Sequence, residues 1–565
     1  MTRFLTHPAM VLGVLAGLAV LLLALPIRLP IGGNYFDLYF IMDGAYRVGL
    51  GQVPHADFFA PSGALPFYLL AGAEWLFPKA QPLLAAQLSL LAVTLPLITL
   101  AAIDVDRRSR LAAFAIVVPF AIFSLAPINA IEFYPAPGAD GIGVYNRQSG
   151  LALYALMAAM FLMAEGWRRN LVLALALAAL FYIKINVFLP ALVLMAFGFV
   201  SGLLAARSAA TVFGAAVVAI VAAGAPTGLL APYLSDIAAM VAHNSGHALS
   251  RMATMFSVKF DVIMTMSALI VALLALRFAE IWRLILKLAH GPAAERLRHL
   301  RRLLQLDVAL IGVGFVMAVV IEMQNTGSQE FVYLWPLLLA ALTRLKADAE
   351  PRSVRWKPAL MMLFAAAALP TFVTILHRTA RMIAVAPTYA SLGLPELKAL
   401  DRVVVRPENL AHARAMSAHY AGARANYAAL AEAGHMPSSI LWSHIEYQAF
   451  YLLDLAEAAA ALRRLEARTG RSFASVYTPD NVDMMPYALG RAPLKDVTVS
   501  LDFGRGFPAS RQAKLIAAAG RADAIFLRRC PMTPYALDIV KLMQPALAGR
   551  DMIALTPCWD VAVKR

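Results

Sequence analysis

The chain has 565 residues, of which 61% are hydrophobic and 15% charged, with a formal net charge of +15. An ordinary soluble globular protein is excluded, because apolar residues make up only about half of such chains. A nucleic-acid surface is excluded as well, since the basic residues sit in short clusters between long apolar runs, the pattern that sets topology in multi-spanning membrane proteins.

In chain order, Val11–Ala24 is the first apolar run. The ALPIRLP that closes it offers no clear small-residue cleavage site, so it reads as an uncleaved crossing rather than a signal peptide. Basic clusters follow at Arg107–Arg110, Arg168–Arg169, Arg207, Arg277–Arg302 and Arg344–Lys357, and the positive-inside rule assigns all of them to the cytoplasmic side. Ala64–Phe77 is then a shallow or re-entrant helix, and Leu83–Ile103 returns inward. Further crossings fall near Leu111–Leu125, Leu151–Met163, Leu171–Ile183, Val187–Leu204, Val212–Leu230, Val262–Leu276, Val308–Ile321, Phe331–Leu342 and Ala359–Leu376. A mainly α polytopic membrane protein of about eleven crossings is expected, with residues 1–380 in the helical part and 381–565 outside. Arg277–Arg302 reads as an amphipathic cytoplasmic helix pair that anchors topology at the lipid surface.

The first outer loop, Gly33–Tyr68, gathers carboxylates, aromatics, prolines and glycines. On a helix over Asn34–Leu50, Asp37 shares a face with Ile41, Gly44, Ala45 and Val48. A carboxylate on that apolar side needs a partner or a task, or else it caps the helix after Gly32-Gly33-Asn34. Asp43 and Arg47 are four apart and can pair at the surface. Asp57 stands either as a second acid or as a turn residue ahead of Pro61.

The second outer loop, Pro127–Gly150, holds Glu132, Tyr134 and Asp140, then Tyr145-Asn146-Arg147 at the start of the next helix. Arg147 can grip a phosphate through several donors, or snorkel to headgroups as an anchor. Lys184 lies fourteen residues after Asn170, so a helix carries it about 21 Å across an apolar core of roughly 30 Å. That puts Lys184 and Asn186 just beneath the outer surface, where a lipid phosphate sits; pairing with an acid on a neighbouring helix is the alternative. In the third loop, His243 and His247 are four apart and compatible with a metal pair, although Ser245-Gly246 favours solvated loop histidines. The fourth loop, Glu322 to Asn325, offers Gln324 and Asn325 to sugar hydroxyls or to helix capping.

Beyond about Leu392, helical stretches (Glu408–Ala433, Glu446–Arg468, Arg511–Ala519, Tyr535–Leu547) alternate with strand-like runs (Phe473–Tyr477, Val497–Leu501, Ala524–Leu527, Met552–Leu555). A small α/β domain is expected there, with no glycine-rich phosphate loop, metal-ligand spacing or nucleophile elbow, and with a role in covering the outer site or binding substrate. The only cysteines, Cys530 and Cys558, form a disulfide or two separate buried thiols.

An Asp just past the first membrane helix, fourteen residues before a Gly, then Val-Pro-x-x-Asp-Phe-Phe and Pro-x-Gly, resembles the first loop of bacterial GT-C superfamily glycosyltransferases. The matching residues are Asp37, Gly51, Val53, Pro54, Asp57, Phe58, Phe59, Pro61 and Gly63. Tyr145-Asn146-Arg147 resembles members of the same superfamily, and the end of the chain (a strand after Ala522-Asp523, a helix with Tyr535, a last strand with Trp559) resembles one subgroup diffusely. Many relatives carry Asp-Glu where this chain has Asp37-Leu38, which makes Asp57 the candidate second acid.

The resemblance implies an inner-membrane enzyme that moves a sugar from a polyprenyl-phosphate carrier to a glycan or glycolipid acceptor, with Asp37 as the catalytic carboxylate. Lys184, Arg147, Asn146, Tyr145, Asn186, Gln324 and Asn325 are the expected substrate-binding groups. A divalent metal is compatible with this reading, but no ligand cluster demands one. The rival readings are a flippase for a lipid-linked saccharide, or a non-catalytic factor that binds glycolipid.

Overall fold

The computed structural model describes residues 7–244, 246, 248–325, 327–347, 351–437, 444–504 and 506–565; His247, one half of the histidine pair considered above, lies outside them. The protein is predominantly helical. Among the described residues, four helices are long and apolar enough to cross a membrane: Pro82–Asp106, Ala206–Gly224, Phe260–His290 and Arg355–Thr388. A fifth is reached if Ala293–Leu304 and Asp307–Glu322, bent by 65° at their junction, are counted as one. Shorter apolar helices include Pro8–Ala24, Arg110–Leu125, Ile185–Val200 and Val332–Leu345.

Local sequence explains several of these boundaries. Phe260–His290 runs straight through Arg277, where a break was expected, because no glycine or proline interrupts it before Gly291-Pro292. Leu65–Leu76 has 12 residues, about 18 Å of helix, too short for an apolar core of about 30 Å. Trp167–Ile183 and Ile185–Val200 are separated at Lys184, whose extended backbone (φ −160°, ψ 110°) breaks an otherwise continuous apolar stretch.

Val144–Leu162 is the central column. Nearly all of its residues are buried, small and apolar ones included, so its first turn lies where many elements meet. Trp167–Ile183, Leu91–Asp106 and Trp335–Ala347 pack along its length.

Among the described residues, nine short strands complete the fold: β1 Leu29–Pro30, β2 Phe58–Phe59, β3 Ala390–Ser391, β4 Val403–Val405, β5 Val476–Tyr477, β6 Val497–Thr498, β7 Ala524–Arg528, β8 Arg550–Thr556 and β9 Trp559–Lys564. Four form one sheet in the order β5-β7-β9-β8, with β5 and β7 parallel and the other pairs antiparallel. The run Ala524-Ile525-Phe526-Leu527 is buried throughout, which is why it reads as unbroken apolar sequence rather than as an alternation. Helices Ile445–Thr469, Gln512–Ala519 and Pro534–Leu547 accompany this sheet, and Cys530 and Cys558 are joined as a disulfide.

The remaining strands tie the two ends of the chain together. β1 pairs in parallel with β4 (Leu29 opposite Val403), and β2 with β6 (Phe58 opposite Val497). The loop after the first helix is therefore built into the C-terminal region. Tyr39 stacks on Tyr451 at 5.2 Å, the Tyr35 N–H donates to Gln448 Oε1 at 3.1 Å, and Gln52 Nε2 donates to the Pro493 carbonyl at 2.7 Å. Residue 380 marks a change of composition along the chain, while packing runs continuously across it.

Candidate functional site

Three helix ends meet at the top of the central column. Gly143 caps Val144–Leu162 with φ +74°, and a Cβ there would collide with the Gly327 carbonyl, so glycine is required. The N–H of Gly143 donates to Asp37 Oδ2 at 2.7 Å. Asp37 sits in the first turn of the helix Phe36–Gly49, and its carboxylate thus reaches across to the positive end of a second helix. Arg147, one turn further on, adds an attractive charge toward Asp37.

Lys184 approaches the same turn from the break between its two helices. Its Nζ donates to Asn146 Oδ1 at 2.6 Å and to Asn325 Oδ1 at 2.5 Å, and it lies 5.1 Å from the centre of the Tyr145 ring. Asn146 is fixed in turn, donating through Nδ2 to the Gly327 carbonyl at 2.7 Å. Four residues expected to bind substrate, Tyr145, Asn146, Lys184 and Asn325, are therefore brought together from three loops.

The Asn325 loop is held from below. Buried Lys259 contacts Glu322 at 2.7 Å and Glu330 at 3.2 Å, and Ser328 Oγ donates to Glu322 at 2.7 Å. A charge-assisted network of this kind fixes the loop as one unit.

A narrow apolar crevice, with a cavity volume of about 10 Å³, lies among the three helices that carry these ends, lined by Leu153, Met157, Pro190, Leu194, Ile321 and Leu334 among others. Pro190 is six residues beyond Lys184, about 9 Å along a helix, and Ile321 is one turn before Asn325. The crevice thus lies a turn or two along the same helices from Lys184, which does not itself line it.

Other expected site residues have different work. Arg147 is buried, donating to Gln87 Oε1 at 2.9 Å, Asn129 Oδ1 at 2.7 Å, and the carbonyls of Ile142 at 2.9 Å and Asp140 at 3.0 Å. Its guanidinium latches the second loop from inside, joined by the Arg378–Asp140 pair at 3.1 Å. The expectation of a phosphate grip at Arg147 is corrected accordingly, because its donors are taken by protein oxygens. Asp57 accepts the Val53 N–H at 2.8 Å and pairs with Lys495 at 3.0 Å, so it is a turn residue that docks the loop onto the C-terminal region. Gln324 folds back onto the Val320 carbonyl at 3.3 Å, a capping contact. Asn186 is half-buried in the first turn of Ile185–Val200.

Asp43 and Arg47 do pair, at 3.0 Å, but both are fully buried rather than at the surface. Arg47 also lies 3.6 Å from Asp483 and donates to the Leu494 carbonyl at 2.5 Å. Burial drives the Asp43 and Asp483 carboxyls above the usual carboxylate range, against the pull of Arg47. His243 makes a 3.2 Å contact with the Phe503 carbonyl, and no group of three metal-ligating side chains occurs among the described residues.

Sequence reasoning missed His55. Its Nδ1 lies 2.9 Å from Asp236 Oδ2, Arg511 also contacts Asp236, and its Nε2 is buried without a hydrogen-bond partner. The backbone at His55 has φ +65°, uncommon for a non-glycine residue. The Pro54-His55 turn was the available signal; Asp236, 181 residues away, gave none.

Compared with family models, curated proteins and solved structures, the chain matches none of them.

Proposed function

We infer that the chain is a membrane glycosyltransferase that moves a sugar from a polyprenyl-phosphate carrier to a glycan or glycolipid acceptor. The observation that carries this reading is Lys184, aimed by two amide oxygens where three helix ends meet, with an apolar crevice among the same helices. A lipid tail suits the apolar lining, and a phosphate suits the ammonium. In this reading the helical part crosses the inner membrane about eleven times, with the shorter apolar helices tilted or paired, and the C-terminal α/β part stands on the outer face. The first-loop resemblance adds the sugar-transfer chemistry.

Asp37 is the base. The Gly143 N–H orients its carboxylate, which takes the proton of an acceptor hydroxyl as that oxygen attacks the anomeric carbon. The bond to the lipid phosphate breaks with inversion, and Lys184 stabilises the charge gathering on the departing phosphate. Only one displacement is needed, since the phosphate is already a good leaving group.

The test is transfer by purified protein from a panel of polyprenyl-phosphate sugars, wild type against Asp37→Asn. Product from the wild type and a large loss in the variant support the reading. Equal rates overturn the role of Asp37, and vectorial lipid movement without any product overturns the transferase.

A further inference from the structure

A second cleft lies elsewhere, where the first-loop helix meets the C-terminal sheet. It is open to solvent, leaves a cavity volume of about 40 Å³, and is lined by Phe36, Tyr447, Asp480, Asn481, Arg528 and Thr533 among others. Its floor follows from topology. β5 and β7 are parallel neighbours, and the residues just past their C-terminal ends, Asp480-Asn481 and the segment from Arg528 to Thr533, form one wall. The crevice beyond the carboxyl ends of parallel strands is where open α/β sheets bind ligands. The helix Pro534–Leu547 begins there, capped by Thr533 Oγ accepting the Ala536 N–H at 3.1 Å, and the Cys530–Cys558 disulfide pins the same loop.

Lining chemistry narrows the ligand. Arg528 is sandwiched over Tyr451 and Trp559, 4.7 and 5.1 Å from their ring centres, which fixes the plane of its guanidinium. Asp480 pairs with it at 3.1 Å and Asp454 approaches to 3.9 Å. The local charge is thereby balanced, so an added phosphate meets no net positive field. A purely apolar ligand would leave the lining carboxylate, amide and hydroxyl groups without water or a ligand partner. Paired carboxylate and guanidinium forks, an amide, hydroxyls and aromatic walls suit vicinal hydroxyls on a ring with apolar faces.

The geometry points to a saccharide-binding site in this cleft, with Asp480 and Asn481 bonding ring hydroxyls and the Phe36 and Tyr447 rings bounding the sugar. Phe36 lines it and Asp37 follows in the chain, so on the transferase reading the ligand is the acceptor. That last assignment rests on the transferase proposal; the site itself does not.

The experiment uses the full chain in lipid nanodiscs with the disulfide intact. Saturation-transfer NMR and titration are run with free glucose, galactose, mannose, arabinose, N-acetylglucosamine and their disaccharides, with inorganic phosphate as the competing anion. At least one sugar binds the wild type at millimolar affinity or better, Asp480→Asn weakens it about tenfold, and Ala536→Trp, which fills the cleft, removes binding at an unchanged melting temperature. Should Ala536→Trp fail to fold, Val540→Phe serves as the occluding variant. The site is overturned if no sugar binds, if binding survives occlusion, or if phosphate displaces the sugar. Sugar binding without any transfer removes the transferase and leaves the site; transfer without binding in the cleft removes only the site.

Discussion

The Lys184 ammonium rests 2.5 Å from the amide oxygen of Asn325, a residue 141 positions further along the chain. With Asn146 on its other side at 2.6 Å, it is held by two neutral oxygens that orient it. Asn146→Ala and Asn325→Ala are each expected to weaken polyprenyl-phosphate binding about three- to tenfold, the value of one oriented hydrogen bond. Both act through the same ammonium, so the double variant loses less than the sum of the two. Titration of the four proteins with the lipid phosphate reads the coupling directly.

Asp37→Asn should keep the fold, because the asparagine oxygen can still accept the Gly143 N–H. It cannot take a proton. Transfer should fall by about 10²–10⁴-fold, with the melting temperature near that of the wild type.

Arg47 stands between two buried carboxylates, at 3.0 Å from Asp43 and 3.6 Å from Asp483. Arg47→Leu leaves both without their countercharge and should cost about 3–5 kcal/mol. Its effect is visible as a lowered melting temperature and as faster proteolysis around residues 478–496. Replacing all three by apolar residues should recover much of the loss, which separates the ionic term from packing.

Burial pushes the Asp454 carboxyl up to about 7. Its folded state keeps a proton that the unfolded chain releases near pH 4, so between about pH 4 and 7 the native protein binds more protons. Stability therefore falls as pH rises through that window, by about 1.4 kcal/mol per pH unit for one such group. Asp43, also raised, acts in the same sense. Melting temperatures from pH 5 to 8 should decline in the wild type and decline less in Asp454→Asn.

Much of the site could be read from spacing alone. Counting residues from Asn170 places Lys184 near a helix end, and Tyr145-Asn146 was recognisable as a helix start. Their meeting at Asn325 is tertiary and left no local mark. Arg147 misled because successive residues on a helix point about 100° apart: Asn146 faces Lys184, while Arg147 turns into the second loop. In the C-terminal region, the apolar runs at 473–477, 497–501, 524–527 and 552–555 contain or overlap β5, β6, β7 and β8, whereas β1 to β4 have two or three residues each, too short for any periodicity to register. Asp43 and Arg47 looked like a surface pair because nothing in residues 33–68 announces that residues 478–496 cover them. His55 and Asp236 meet only in three dimensions.

Lys184 as the grip on a lipid phosphate is tested most directly by native mass spectrometry of the purified protein with polyprenyl phosphate. Wild type should retain one lipid, Lys184→Arg should retain it in part, and Lys184→Met should lose it, as should Met157→Trp, which blocks the crevice. Equal retention by wild type and Lys184→Met would contradict the account.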